Sequence, residues 1–496
     1  MPKARKKTSK TTKSSSSSGT SSALVACWED DPGEPTLSPP LSPIQVPVPD
    51  QSATPLPFKI SGTAPQPGVF QPGTPEFRYF AAAAALRRTA DFWSGIVPSG
   101  TSWEVGNVLP VELDSGVDLN AFYTRGGDGD SPGLHFFHDS VSGRVYYSGE
   151  SPDVVCHEMG HGVLDAIRPQ LFDAQTIEAA AFHEGFADCS ALLSALQVPS
   201  FRAVLLSDTG GVLGRSSRWS RVAEQLGFAI RDGHPDAVDP DCLRNASNSF
   251  FYTDPQQLPP SAPASQLSSE PHSFSRVFSG AFLNVLAGIF TTIGDNSDAS
   301  LVKTAQDGAH LLIGAILTAP VVPDYFSQVA AAMVQFGEGS PFNGKYHDVI
   351  QSAFVRKGIL SLQAAATLRG VPKPPARGVS AMKGRAEELP RVAISAAAYG
   401  LKQPVVKVHI AAEIKHLGVT GAASAGTAEP RGGQNAAESY TEDLFQRGHV
   451  DLGAHGDTGL KHPFSFKTHR IVEEKGDLVL KRITFDCGFD HRHRLP

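Results

Sequence analysis

Apolar positions along the chain change their spacing several times, and each change predicts a different element. Residues 1 to about 76 show no sustained period: MPKARKKTSKTTKSSSSSGTSS is basic and serine-rich, and the stretch up to Pro75 is dense in Pro, Ser and Thr. Such a composition buries too little apolar surface to offset chain ordering, so a disordered tail is expected. Order is expected near Phe77, where FRYFAAAAALRRTADFWSGI joins helix-favouring alanines to the aromatic anchors Phe80 and Phe92. Short β-like runs follow, NVLPVEL and LNAFYTR, and GLHFFHDSVSGRVYYSG predicts a hairpin turning near Ser142-Gly143. From Ser151 the pattern becomes helical. Ser151 suits the cap, Pro152 the first turn, and Pro169 stops continuation. Ile177, Ala180, Ala181, Ala187, Leu192 and Leu193 predict a second helix from Thr176 to about Gln197.

Residues 199 to 270 read as loop-rich and end in LPPSAPASQLSSEP. The apolar run RVFSGAFLNVLAGIF and the stretches 301–317, 323–337 and 345–359 predict further helices. Beyond 361, VPKPPARG predicts a linker. PVVKVHI and HRIVEEKGDLVLKRITFDC predict strands, the second a hairpin turning at Lys475-Gly476, with the flexible stretch GVTGAASAGTAEPRGGQNAAES between them. The expectation is an α+β chain: a tail over 1–76, a folded domain over 77–360, and a linker with a small β-rich accessory module over 361–496.

Composition narrows the class. A chain of 496 residues can bury a substantial core. A formal net charge of −7 gives no reason to expect a nucleic-acid partner. The five cysteines (Cys27, Cys156, Cys189, Cys242, Cys487) are too scattered for a disulfide framework, and Cys156 and Cys189 read as small apolar core residues. No run approaches the roughly 18 apolar residues of a membrane span. The basic start leads into serines instead of the apolar segment of a signal peptide. A soluble cytoplasmic chain with no membrane partner is therefore expected. Lys3, Arg5, Lys6 and Lys7 leave a nuclear address open beside the plainer reading of a solvated tail.

The chemistry concentrates between Ser151 and Cys189. His157 and His161 frame His-Glu-Met-Gly-His; one helical turn apart, they project from one face, the spacing two imidazoles need to share a zinc ion. Glu158 is rotated off that face, placed to act on a water without being a ligand. Glu184 and Asp188 share a face of the second helix. Glu184 is the candidate third ligand, and Asp188 the candidate acceptor for a ligating histidine's outer N–H. The plain alternative, satisfied core histidines and a solvated acidic pair, suits HEMGH alone better than HEMGH with both acids downstream.

HEMGH followed by HEGFAD resembles the gluzincin metallopeptidases, the thermolysin-like and fungalysin-like group. The resemblance covers roughly residues 77–360 and implies a thermolysin-like zincin domain with a β-rich N-terminal lobe and a helical C-terminal lobe. It implies one catalytic Zn2+ and a peptide or protein substrate. Asn120-Ala121-Phe122-Tyr123 is similar to the family's cleft-edge strand, which makes Asn120 and Ala121 the candidate substrate-binding pair; an exposed edge offers N–H and C=O groups to an extended peptide. His272, three residues before Ser275 at a helix start, resembles the second catalytic histidine, with Glu270 tuning it where the family's Asp is missing. HDVIQSAFVRKGI resembles the closing helix. Two departures stand out. No tyrosine lies between His161 and Glu184, leaving Tyr252 as a substitute, and the family's carbonyl-binding arginine has no clear counterpart, Arg276 lying nearest the right region. Gly126 to Asp130 offers a Ca2+ site as an alternative to a plain turn. His135 and His138 read as strand residues. The favoured function is zinc-dependent endopeptidase. The alternatives are a catalytically weak or inactive zincin acting as a binding scaffold, an interaction protein whose tail and C-terminal module carry the function, and a hydrolase of another bond.

Overall fold

The computed structural model describes residues 23–33, 41–127, 131–368, 388–411, 432–456 and 466–486. Order begins well before Phe77. Strand β1 (Leu24–Cys27) pairs antiparallel with β2 (Ile44–Pro47), and β3 (Phe58–Ile60) joins a larger sheet. Trp28 meets Phe77 edge-on, and Leu56, Phe58 and Ile60 are buried. The expected tail over 1–76 is thus corrected for residues 23–33 and 41–76. Their apolar residues are too sparse among prolines to show a period, yet they find a ready surface on α1 (Pro75–Ser94). That helix starts where expected, with Thr74 accepting from the Phe77 N–H and Pro75 in the first turn.

The next strands are β4 (Leu109–Glu112), β5 (Ala121–Thr124) and β6 (Gly133–Phe136). The hairpin of β7 (His138–Val141) and β8 (Arg144–Tyr147) turns at Ser142-Gly143 as expected, both residues having positive φ. Then come α2 (Pro152–Ile167), the single turn α3 (Gln170–Asp173) and α4 (Ile177–Ala195). The cap residues Ser151 and Thr176 accept from the Val154 and Ala179 N–H groups. The sheet lies on α2. Tyr123 donates to Asp165 at 2.7 Å and Arg125 grips both oxygens of that buried carboxylate, so β5 is fastened to the helix that carries HEMGH.

The region expected to be loop-rich holds two helices, α5 (Pro199–Thr209) and α6 (Glu224–Gly233), flanked by the two-residue strands β9 (Arg221–Val222) and β10 (Arg244–Asn245), which pair with each other. Helices α7 (Pro271–Ile293), α8 (Asp298–Thr318), α9 (Tyr325–Gly337) and α10 (His347–Arg356) complete the helical lobe, followed by α11 (Leu362–Leu368). Helix α7 has the length and apolar composition of a membrane span. Here it is a core helix packed against α4, α8 and α10, with Phe274, Val277, Phe278 and Phe282 fully buried.

The C-terminal part forms its own five-stranded sheet from β11 (Arg391–Ser395), β12 (Val405–His409), β13 (Val450–Asp451), β14 (His469–Glu474) and β15 (Asp477–Arg482), in the order β11-β12-β15-β14-β13. Helix α12 (Gly433–Gln446) begins within the stretch expected to be flexible. The hairpin turns at Lys475-Gly476, both with positive φ, the geometry of a tight two-residue turn. The proposed linker VPKPPARG lies outside the described residues. This module is not detached. One residue beyond β15, β16 (Thr484–Asp486) crosses into the first sheet, whose order is β16-β5-β6-β4-β3.

Candidate metal centre

Helix geometry sets the first two donors. His157 and His161 stand one turn apart on α2 with ring centroids 4.8 Å apart. Helix α4 crosses this face so closely that a Cβ on Gly160 would sit 2.7 Å from the Ser190 Cβ and 2.9 Å from the Ala187 Cα. That approach brings Glu184 to the histidines: its Oε2 is 3.4 Å from His157 Nε2 and its Oε1 3.6 Å from His161 Nε2. Donors bound tetrahedrally to zinc at about 2.0–2.1 Å are themselves about 3.4 Å apart. Glu184 therefore stands at ligand spacing from each of the two rings, through a different oxygen to each. His157 Nε2, His161 Nε2 and Glu184 Oε2 are also buried without a hydrogen-bond partner within the protein, a costly arrangement that a cation in their midst resolves. Donor set and geometry both fit zinc.

Glu158 also belongs to this cluster, with a carboxylate oxygen within 4.8 Å of donor atoms of both histidines. Glu184 faces both rings from α4, and Glu158 is fully buried on α2 between the two histidines in sequence. Among the described residues, His157, Glu158 and His161 are the one group of three or more His, Cys, Asp or Glu side chains whose donor atoms all lie within 4.8 Å of one another.

A second layer aims the rings. Asp188, one turn after Glu184, lies 3.1 Å from His157 Nδ1, and Arg244 on β10 pairs with the same carboxylate at 2.9 Å. His161 Nδ1 lies 3.0 Å from His183 Nδ1, so each ligand ring is oriented through its outer nitrogen. Burial disfavours a charged His157, but the nearby Asp188 and Glu184 carboxylates outweigh that and push it up to about 9. His161 is held well below the usual histidine range by burial and by the neighbouring histidines. Burial opposes ionisation of Asp188, yet Arg244 and His157 hold it below the usual carboxylate range.

On the far side, Glu270 caps α7 by accepting from the His272 and Ser273 N–H groups at 3.1 and 2.8 Å. The same carboxylate holds His272 Nδ1 at 2.6 Å, while His272 Nε2 points to Glu184 Oε2 at 3.4 Å and donates to the Asp486 carbonyl. Burial works against a charged His272, but Glu184 and Glu270 prevail and its affinity for a proton rises well above the ordinary value. The expected tuning by Glu270 is thus present in the geometry.

The remaining expected residues fall in varied places. Asn120 is buried, its Oδ1 accepting from the Ala121 N–H at 2.8 Å, and Ala121 opens β5. The edge expected to be exposed is not: β5 pairs with β6 on one side and β16 on the other. Local sequence carries no sign of a partner from so far along the chain. Tyr252 donates to Glu178 in the first turn of α4. Arg276 is spent on the Ala264 and Gln266 carbonyls, so the arginine near the centre is Arg244. Neither Arg244 nor His183 was found from sequence. Arg244 lies in a two-residue strand without a pattern, whereas His183 stood in view beside Glu184. His135 bonds Ser115 and His138 bonds Asp114, both as strand residues. Residues 128–130, which hold the carboxylates of the calcium alternative, and Cys487 lie outside the described residues. Cys156 and Cys189 are free and buried, as expected. No protein-family model and no curated protein matches this chain.

Proposed function

We propose that this chain is a zinc-dependent endopeptidase of the gluzincin type. The observation that carries the reading is the convergence of three buried groups, His157, His161 and Glu184, with Glu184 oxygens 3.4 and 3.6 Å from the two imidazole nitrogens, Glu158 beside them and His272 opposite. A zinc ion held by these residues would polarise a substrate carbonyl and lower the pKa of a water toward neutrality. Glu158 takes the proton from the attacking water and passes it to the leaving nitrogen. His272, kept protonated and aimed by Glu270, donates from Nε2 to the developing oxyanion. With no tyrosine found for this task, His272 carries it among the protein's own donors. Arg244 pairs with Asp188 and holds the carboxylate that meets His157. Strand β5, starting at Asn120-Ala121, would supply the ladder for an extended peptide substrate once the edge held by β16 is vacated.

Glu158→Gln tests this mechanism. The variant is expected to retain one zinc per chain and to lose about 10²- to 10⁴-fold in turnover, the range for removing a general base. Unchanged turnover would contradict it. One observation favours a binding scaffold instead: Glu158 and His161 are 0 % exposed and His157 and Glu184 1 %. Bound zinc with no cleavage of any peptide would support that second reading.

A further inference from the structure

The sealed centre has an identifiable cover. Strand β16 runs antiparallel along β5, with Thr484 opposite Thr124, Phe485 opposite Tyr123 and Asp486 opposite Phe122. An extended peptide added to this edge would make the same kind of ladder. The fit goes beyond backbone pairing. The Thr484 hydroxyl donates to the Tyr123 carbonyl at 2.9 Å, and the Thr124 hydroxyl to the Ile483 carbonyl at 2.6 Å. The Phe485 ring, 2 % exposed, stacks on His183 at 4.0 Å and on His161 at 5.1 Å, both at 15°, with the Arg482 guanidinium 4.2 Å from its centroid. His272, the residue assigned to hold a reacting carbonyl, donates to the Asp486 carbonyl. A backbone strand, an apolar side chain and a carbonyl of this chain thus occupy three places a bound peptide would use.

We infer that β16 is an internal pseudosubstrate: the C-terminal module holds the peptidase latent by laying this strand on β5 and Phe485 over His161. This rests on the peptidase reading. The architecture supplies the means. Strand β15 belongs to the module's sheet and β16 to the catalytic sheet, with only Ile483 between them, so a small displacement of the module withdraws the strand. The module meets the helical lobe near this point through contacts such as the Gln175 N–H donating to the His409 carbonyl at 3.2 Å. Addition of a strand to an edge is reversible without any covalent step, so the same segment that blocks the cleft also shows how a substrate strand lies in it.

The test uses the full chain as wild type, Phe485→Ala, Phe485→Leu and Thr484→Val, the last removing the hydroxyl that reaches the Tyr123 carbonyl at little change in size. Two readouts are taken on each: the rate of carbethoxylation of His183, which lies under Phe485 and needs no metal to report access, and cleavage of a quenched peptide library at matched zinc content. Phe485→Ala is expected to raise both rates at least tenfold, Thr484→Val to raise both by a smaller factor, and Phe485→Leu to restore protection. Equal His183 rates in wild type and variants would overturn the inference, as would cleavage that is measurable and equal in all of them. Faster His183 modification with no cleavage by any form keeps β16 as the cover of the histidine pocket and overturns the peptidase reading instead.

Discussion

Replacing Gly160 by alanine tests whether the close contact of α2 and α4 sets the metal geometry. In an exposed helix this change gains about 1 kcal/mol from propensity alone. At Gly160 the new Cβ would meet the Ser190 Cβ at 2.7 Å and the Ala187 Cα at 2.9 Å, atoms that cannot rotate away. Reaching ordinary van der Waals contact needs the two helices to part by roughly 0.7 Å or more, and overpacking of this kind costs about 1–3 kcal/mol. The net expectation is a loss of up to about 2 kcal/mol of stability. The effect on the metal is larger. His157 and His161 ride on α2 and Glu184 on α4, with donors 3.4 and 3.6 Å apart, whereas a metal site tolerates distance errors of only about 0.2 Å. Zinc affinity should fall by about tenfold or more, comparable to damage to a ligand's support. Competition titration against a chelating dye gives the affinity and urea unfolding of the metal-free chain gives the stability. Gly162→Ala is the internal control, since its nearest contacts, 3.4 and 3.6 Å to the Trp103 ring, are ordinary. A Gly160→Ala chain that binds zinc like wild type and unfolds later would refute the argument.

Asp188→Asn should weaken zinc about 10- to 100-fold by freeing His157 to rotate. It should also destabilise the metal-free chain by about 3–5 kcal/mol, because Arg244 loses a buried carboxylate partner, which denaturant titration measures. A carboxylate group near β1 predicts a pH effect of opposite sign to the usual one. Burial pushes Asp30 and Glu224 up to about 7, with Asp31 and Asp153 also raised. A raised carboxyl keeps its proton in the folded chain where the unfolded chain has lost it. Its contribution is therefore full below the ordinary carboxylate pKa and is lost as pH rises to about 7, by up to about 1.4 kcal/mol per pH unit for each group. Urea unfolding of wild type and Glu224→Gln across this window should show the shallower decline in the variant; parallel curves would contradict the assignment.

How much was legible depended on range. The boundaries of α2 and α4 followed from Ser151, Pro152, Pro169 and Thr176, because caps and prolines act within a turn. The one-turn spacings of His157 with His161, and of Glu184 with Asp188, placed four side chains correctly because helix geometry is fixed. The hairpin at Lys475-Gly476 was equally local. Strands β1 to β3 were missed because their few apolar residues gain order only by packing on α1. Arg244 was missed because its position depends on a two-residue strand. Strand β16 was read as the tail of a hairpin, and its partner Tyr123 lies 361 residues earlier, a separation that no local pattern reveals.

The account stands most directly on metal content. Wild type and His157→Ala should be purified alike, assayed for metals by mass spectrometry, and tested on the same peptide library. One zinc per wild-type chain, absent from His157→Ala, with peptide cleavage that a chelator abolishes and zinc restores, is the expected result. A wild-type chain without zinc, or zinc that persists in His157→Ala, would contradict it.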